Sequence, residues 1–155
     1  MTNNDILRRL RYTFDFNDSK MIEIFKLADY NVTREQVSNW LKKDDDDAYA
    51  SCGDIPFSSF LNGLIIEKRG KQDKPLPEPD KKLTNNIILR KLKIAFDMKN
   101  EDVLAFLSTN GLSISKHELS AFFRRTDHKH YRLCKDQVLR NFLQGLQNQY
   151  RPTAS

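Results

Sequence analysis

The sequence predicts an all-α protein made of two tandem four-helix repeats. Apolar residues recur three and four positions apart along most of the chain, whereas no stretch of useful length alternates apolar with polar residues. The chain also contains an internal duplication: residues 3–66 align without a gap with residues 85–148, and 17 of these 64 positions are identical. A match of this kind predicts the same fold in both halves.

The first helix of each repeat is predicted from an apolar stripe. The stripe consists of Ile6, Leu7, Leu10 and Phe14 in the first repeat and of Ile88, Leu89, Leu92 and Phe96 in the second. The second helix is predicted to begin at an N-cap provided by Asp18 or by Asn100. Asn31 in the first repeat, and Asn110 with Gly111 in the second, are predicted to end that helix in the left-handed conformation.

The third helix is predicted to begin at Thr33 or Ser115, each followed three residues later by a Gln or Glu that completes a capping box. The fourth helix is predicted to begin at an N-cap provided by Asp54 or Asp136, and it carries a second apolar stripe. That stripe consists of Phe57, Phe60, Leu61 and Leu64 in the first repeat and of Leu139, Phe142, Leu143 and Leu146 in the second.

The domain organisation follows from the duplication. The repeats are predicted at residues 1–66 and 84–150, joined by a charged, proline-containing linker over 67–83 and followed by a tail over 151–155. A unit of this size alone buries only about 60% of its unfolded surface, so we expect the repeats to pack as a pseudo-symmetric pair. Polar residues kept in both repeats are predicted to serve the shared architecture, and sharply different positions are expected to carry any specific activity.

Composition restricts the class of protein. The chain has 155 residues, of which 39% are hydrophobic and 30% charged, enough apolar content for a packed core. It contains no apolar run that could cross a membrane, and its start does not resemble a secretory signal. The two cysteines, Cys52 and Cys134, fit a reducing compartment. We therefore predict a cytoplasmic protein without a membrane partner, and the sequence leaves the oligomeric state open.

Three segments carry a resemblance to a known family. They are NNDILRRLRY at residues 3–12, QVSNWL at residues 36–41 and FLNGL at residues 60–64. These segments resemble the YehS-like family of small bacterial cytosolic proteins, and the similarity extends from Asn3 to about Tyr150. The resemblance implies a bacterial source and two copies of a helical domain whose function is unassigned. It implies no catalytic or binding residues.

Charge is distributed unequally between the halves. Residues 1–74 have a net charge of −1 and residues 75–155 a net charge of +6. After its third helix, the second repeat continues as FFRRTDHKHYR, a basic segment with interleaved aromatic residues, where the first repeat has four aspartates. Such a segment is typical of a surface that binds phosphate groups.

Residues 27–41 resemble a helix-turn-helix, and the second repeat has equivalent apolar positions. We therefore predict a nucleic-acid-contacting basic surface on the second repeat. Its cations are predicted to contact phosphates, with His117 or Ser120 facing bases. The candidate nucleic-acid-binding residues are Lys116, His117, Ser120, Arg124, Arg125, Lys129 and Arg132.

Two other clusters of potential metal ligands are explained more simply by structure than by metal binding. His128, His130 and Cys134 have the side chains that zinc prefers, but a fourth ligand is not nearby, so no metal site is predicted. The run over residues 44–47 consists of aspartates but has no EF-hand spacing, which favours a solvated loop. Because an Asp and a Tyr four residues later recur in this loop in both repeats, we predict an Asp–Tyr hydrogen bond there.

No catalytic residue and no cofactor are predicted. The sequence lacks the motifs that are typical of a hydrolase nucleophile, a phosphate-binding loop, a dinucleotide-binding turn or a zinc protease. The favoured interpretation is a non-enzymatic binding module whose partner is nucleic acid. One alternative is a protein–protein adaptor that does not bind nucleic acid. Another is a metal- or small-molecule-dependent enzyme with a site between the repeats.

Overall fold

The structure is a computed structural model that describes residues 1–151, and in this range it consists of helices and loops without a strand. The eight helices are α1 (Asn3–Phe14), α2 (Asp18–Leu27), α3 (Arg34–Leu41), α4 (Asp54–Arg69), α5 (Asn85–Ala95), α6 (Asn100–Thr109), α7 (Lys116–Phe122) and α8 (Asp136–Tyr150). The chain divides after Lys82 into two compact units of four helices each. The all-α prediction with two four-helix repeats is confirmed. The predicted tail over 151–155 lies outside the described residues, apart from residue 151.

The core of the first unit forms where α2 packs against α4. Phe25 of α2 lies at its centre, with ring centroids 5.2 Å from Phe60 of α4 and 5.6 Å from Trp40 of α3. The predicted stripe of α1 is buried apart from Phe14, which is half-buried and stacks on Phe16 with centroids 5.5 Å apart. The stripe therefore faces the core over its first two turns.

The second unit has the same arrangement, with α6 packed against α7 and α8. Phe142 of α8 is fully buried and meets the edge of Phe106 with centroids 5.3 Å apart. Leu89 and Leu92 of α5, together with Val103 of α6, are also fully buried. The apolar pattern of each repeat is therefore used in the same way.

The capping boxes predicted for the third helices are confirmed. Thr33 and Gln36 exchange side-chain and backbone hydrogen bonds at the start of α3, as do Ser115 and Glu118 at the start of α7. These pairs satisfy backbone N–H groups that have no partner inside the helix.

Other predicted helix ends are wrong by one or two residues. The N-cap of α2 is Asn17 rather than Asp18, because the Asn17 side chain accepts a hydrogen bond from the backbone N–H of Lys20 at 2.8 Å. The N-cap of α6 is likewise one residue earlier than Asn100. In the first repeat the left-handed residue after α2 is Asp29, with φ 59°, two residues before the predicted Asn31. In the second repeat, by contrast, the predicted end at Asn110 and Gly111 is confirmed, because Asn110 is the C-cap of α6 and Gly111 has φ 91°.

The predicted caps of the fourth helices are also wrong. Gly53 and Lys135 occupy the N-cap positions, and neither provides a side-chain cap. Asp54 and Asp136 lie in the first turn, where a negative charge is favoured by the helix dipole. Their carboxylates bind asparagine side chains described below.

The predicted Asp–Tyr hydrogen bond in the loop after the third helix is wrong. Within the described residues, Asp45 has no such bond to Tyr49, and Asp127 instead pairs with Arg125 at 3.1 Å. A backbone turn closes the loop in each repeat, with the N–H of Tyr49 donating to the carbonyl of Asp46 at 3.0 Å and the same bond at Tyr131. The hydroxyl groups are not needed for this turn.

None of the helices in the described part of the chain combines the length and apolar content that a membrane crossing requires.

Candidate functional site

A buried asparagine joins the first helix to the third helix and the following loop in the first repeat. The Asn4 side chain is 1% exposed. Its amide nitrogen donates to the carbonyls of Trp40 at 3.0 Å and Ala50 at 2.8 Å, and its oxygen accepts from the backbone N–H of Cys52 at 3.0 Å. We call this set of three bonds the asparagine clamp. It satisfies three backbone groups that would otherwise lack a partner.

The second repeat contains the same clamp around Asn86. Its amide nitrogen donates to the carbonyls of Phe122 at 3.0 Å and Arg132 at 2.7 Å, and its oxygen accepts from the N–H of Cys134 at 2.9 Å. The preceding residue adds a second connection in each repeat. Asn85 donates to the carboxylate of Asp136 at 2.7 Å, as Asn3 donates to Asp54 at 2.8 Å. Hydrogen bonding from Asn85 lowers the pKa of Asp136.

The clamp fixes the position of a basic loop segment beside α7. Asn86 holds the carbonyl of Arg132, and the N–H of Arg132 donates to the carbonyl of Ala121 in α7 at 3.3 Å. Arg124, just beyond α7, donates to the carbonyl of His130 at 3.4 Å. Residues 130–132 therefore run alongside the exposed face of α7.

An open pocket of about 450 Å³ lies between α7 and this segment. Its volume falls in the range of small-molecule sites, roughly 300–1,000 Å³. The side chains of His117 and Arg132 form no hydrogen bond or ion pair with any other described residue, so they are available to a ligand. We call this the α7 pocket, and its lining residues are His117, Glu118, Ala121, Arg124, His130 and Arg132.

The first repeat provides an internal comparison for this pocket. The same positions are occupied there by Glu35, Gln36, Asn39, Lys42, Ala48 and Ala50. The only cation of that set, Lys42, donates to the amide oxygen of Asn39 at 2.9 Å. In the second repeat Ala121 replaces that acceptor, and Arg132 and the two histidines are added. The positive charge of the α7 pocket is therefore a property of the second repeat alone.

Arg90, a further cation near α7, lacks the acidic neighbour that its counterpart has in the first repeat. In the first repeat, Arg8 binds both the carbonyl of Lys42 at 3.0 Å and the carboxylate of Asp5 at 2.8 Å. Its counterpart Arg90 binds the carbonyl of Phe123 at 2.6 Å, but Ile87 replaces the aspartate. This substitution leaves one more positive charge beside the end of α7.

The structure brings together only part of the predicted nucleic-acid-binding set. His117, Arg124 and Arg132 line the α7 pocket, whereas Lys116, Ser120, Arg125 and Lys129 do not. Lys116 and Lys129 are exposed, Ser120 is half-buried, and the exposed Arg125 is paired with Asp127 at 3.1 Å.

Glu118 and His130 line the pocket but were absent from the predicted set. The sequence pattern predicts a capping role for Glu118, and it places His130 in the basic segment and among the metal-ligand candidates. A signal for His130 was present in the sequence, because its counterpart in the first repeat is Ala48.

The histidine–cysteine cluster has a structural explanation. The Nδ1 atom of His128 accepts the N–H of His130 at 3.0 Å, just as the Asp46 carboxylate accepts the N–H of Ala48 at 2.9 Å in the first repeat. Cys134 is buried, and burial raises the pKa of its thiol to about 12. Within residues 1–151, no group of three or more His, Cys, Asp or Glu side chains is arranged to hold a metal ion.

Alkaline pH is expected to destabilise the protein through its two cysteines. Burial, with a smaller contribution from a nearby aspartate, raises the pKa of Cys52 and of Cys134 from 9.0 to about 12 in the folded chain. The unfolded chain therefore releases these protons first, so their stabilising contribution is complete below pH 9 and is lost as the pH rises towards 12. The free energy of unfolding should fall by about 1.4 kcal/mol per pH unit for each cysteine in this range.

Urea denaturation between about pH 8 and pH 11 measures this effect. The control is the C52A/C134A variant, whose stability is expected to be lower than that of the wild type at pH 8 and to fall less steeply as the pH rises. Equal slopes in the two proteins would contradict the assignment.

The fold and the pocket define a class: an all-helical protein of two homologous repeats, of which the second carries a cationic pocket. The model of a family described as "Protein of unknown function (DUF1456)" matches residues 3–70 and again residues 85–151. The chain is 46% identical over 147 residues to the "Uncharacterized protein YehS" of Escherichia coli (strain K12), an alignment that covers 94% of each chain. No solved structure matches it. The chain belongs to the DUF1456 family, and the resemblance to YehS-like proteins with tandem repeats is confirmed.

Proposed function

We propose that the second repeat binds nucleic acid through the α7 pocket and the exposed cations around it. The observation that carries this proposal is the difference between the repeats. The scaffold is the same, including the asparagine clamp, but Arg132, His117 and His130 replace an alanine, a glutamate and an alanine. Residues that diverge on an unchanged scaffold are those expected to perform a specific task.

Electrostatics provides the mechanism. Arg124 and Arg132 line the pocket, and guanidinium groups bind phosphate in a bidentate geometry. Lys116 and Lys129 add exposed charge nearby, and each neutralised phosphate releases condensed counterions. Arg125 contributes less because it is already paired with Asp127. In the helix-turn-helix hypothesis, α7 is the recognition helix that contacts the bases. With seven residues it is about 10 Å long.

The test is a titration of fluorescently labelled duplex and single-stranded DNA at several salt concentrations. We expect log K to fall linearly with log salt concentration, with a slope of roughly −2 to −4, because each phosphate contact contributes roughly −0.7 to −0.9. The R124A/R132A variant should bind more weakly at every salt concentration, and its slope should be shallower by about 2.

The matched control for this variant is Lys42→Ala, which removes the counterpart of Arg124 in the first repeat and should leave binding unchanged. Circular dichroism would show that each variant is folded. Three results would refute the proposal: no binding at low salt, binding that does not depend on salt, or an R124A/R132A variant that binds as tightly as the wild type.

A protein–protein adaptor is the second candidate, and one observation favours it. Leu133, next to the pocket residue Arg132, is 67% exposed, whereas the first repeat has a serine at this position. An apolar side chain of this size, exposed in only one of the two repeats, is a contact that a protein partner can bury. If the protein proves not to bind nucleic acid, the adaptor interpretation predicts that it binds another protein and that the Leu133→Ser variant loses this binding.

A further inference from the structure

Glu118 is the one acidic residue among those that line the α7 pocket. A carboxylate in a cationic pocket repels phosphate, and it accepts hydrogen bonds from donor groups. Glu118 also serves as a helix cap, but its oxygen lies 3.5 Å from the N–H of Ser115, whereas the neutral Gln36 caps the first repeat at 2.8 Å. The negative charge is therefore not needed for capping. A carboxylate at this place in the pocket suits a ligand that presents hydrogen-bond donors as well as phosphate.

Among the bases, the donor pattern of guanine matches a carboxylate. Guanine presents two adjacent N–H donors, N1–H and N2–H, on its Watson–Crick edge, and the two oxygens of a carboxylate accept both. Cytosine and adenine each present one amino donor beside a ring acceptor, and thymine presents one N–H between two carbonyls. A carboxylate therefore forms two bonds with guanine and at most one with the other bases.

The rest of the pocket suits the remainder of a nucleotide. His117 and His130 provide planar rings of the kind on which unpaired bases stack, and Arg124 and Arg132 provide the phosphate contacts. We infer that the α7 pocket binds an unpaired guanine nucleotide, with Glu118 accepting from its Watson–Crick edge and the two arginines holding its phosphate. The inference rests on the proposed nucleic-acid binding. The guanine is unpaired because base pairing in a duplex uses the same edge.

The experiment compares oligothymidylates about 12 nucleotides long that carry one central dG, dA, dC or no substitution, measured by fluorescence anisotropy with the full chain. We expect the dG probe to bind roughly tenfold more tightly than the unsubstituted probe, as for other bidentate base contacts. The dA and dC probes should bind about as tightly as the unsubstituted probe, because adenine, cytosine and thymine each offer the carboxylate at most one bond. Glu118→Gln should bring the ratio between the dG and unsubstituted probes close to one.

Gln36→Glu is the matched control, because it makes the reverse Gln/Glu exchange at the position of the first repeat that corresponds to Glu118. It should keep the wild-type preference for dG. Thermal melting checks that E118Q is folded, as expected from the glutamine that caps α3.

The outcomes separate this inference from the function on which it rests. Salt-dependent binding to all four probes without a preference for dG would overturn the guanine inference and leave nucleic-acid binding intact. A preference that survives E118Q would also overturn it. Absence of binding to every probe at low salt would overturn both.

Discussion

Replacing Gly63 with alanine is expected to unfold the first repeat under conditions in which the wild type is stable. Gly63 lies in α4 where this helix crosses α2. A Cβ atom at this position would overlap the carbonyl oxygen of Ile24 and lie 2.8 Å from its carbonyl carbon. The obstacle is backbone, so no side-chain rotation relieves it, and the two helices must move apart.

The expected magnitude follows from two opposing effects. At an unhindered helical position, alanine stabilises a helix by about 1 kcal/mol relative to glycine. Separating two packed helices costs about 3 kcal/mol or more, since it disrupts the core around Phe25. We therefore expect the melting temperature of this unit to fall by roughly 10 °C or more, measured by circular dichroism or calorimetry.

Gly145→Ala is the comparison that isolates the cause. This glycine occupies the same place in the second repeat, but a Cβ atom there would meet side chains, 2.6 Å from the ring of Phe106 and 2.7 Å from the amide of Asn110. Side chains can shift, so the loss should be about 1–2 kcal/mol. Equal losses in the two variants would contradict the explanation.

Asn4→Asp and Asn86→Asp are expected to destabilise their repeats almost as strongly. The replacement keeps the shape of the side chain but removes both N–H donors, so a carboxylate faces the carbonyl oxygens of Trp40 and Ala50, or of Phe122 and Arg132. Each orphaned buried group costs about 1–3 kcal/mol, and the buried charge adds to this. We expect a loss of about 3 kcal/mol or more from each repeat.

Urea denaturation at neutral pH measures this loss, and Asn31→Asp provides the control. Asn31 is exposed and makes no clamp, so the same chemical change there should alter stability by less than about 0.5 kcal/mol. A clamp variant as stable as this control would show that the buried asparagines do not hold the repeats together.

Much of the fold was predictable because it depends on local periodicity and on the duplication. The stripes of α1 and α4 and the capping boxes at Thr33 and Ser115 follow from spacing alone. Helix ends were less predictable where competing residues are adjacent: Asn17 and Asp18 can both cap a helix, and the tertiary fold selected Asn17. Polar residues kept in both repeats were predicted to serve the architecture, and Asn4 and Asn86 do so. Their hydrogen-bond partners lie 36 to 48 residues away along the chain, so sequence spacing could not identify them.

The candidate site was less predictable for the same reason. Sequence spacing identified α7 and the basic residues after it, but not the path of the loop that brings His130 and Arg132 back beside α7. That path is set by the clamp at Asn86 and by the bond from Arg132 to Ala121. Proximity in sequence therefore favoured Arg125 and Lys129, which lie outside the pocket.

One measurement tests the central claim that a shared scaffold carries a specific site in its second repeat alone. The variant H117E/H130A/R132A gives the α7 pocket the residues that the first repeat has at these positions, and its DNA affinity and melting temperature are measured beside those of the wild type. Because none of the three side chains contributes to the asparagine clamp, we predict an unchanged melting temperature and a DNA affinity at low salt that is at least tenfold weaker. A variant that melts like the wild type and still binds DNA with the wild-type affinity would contradict the claim.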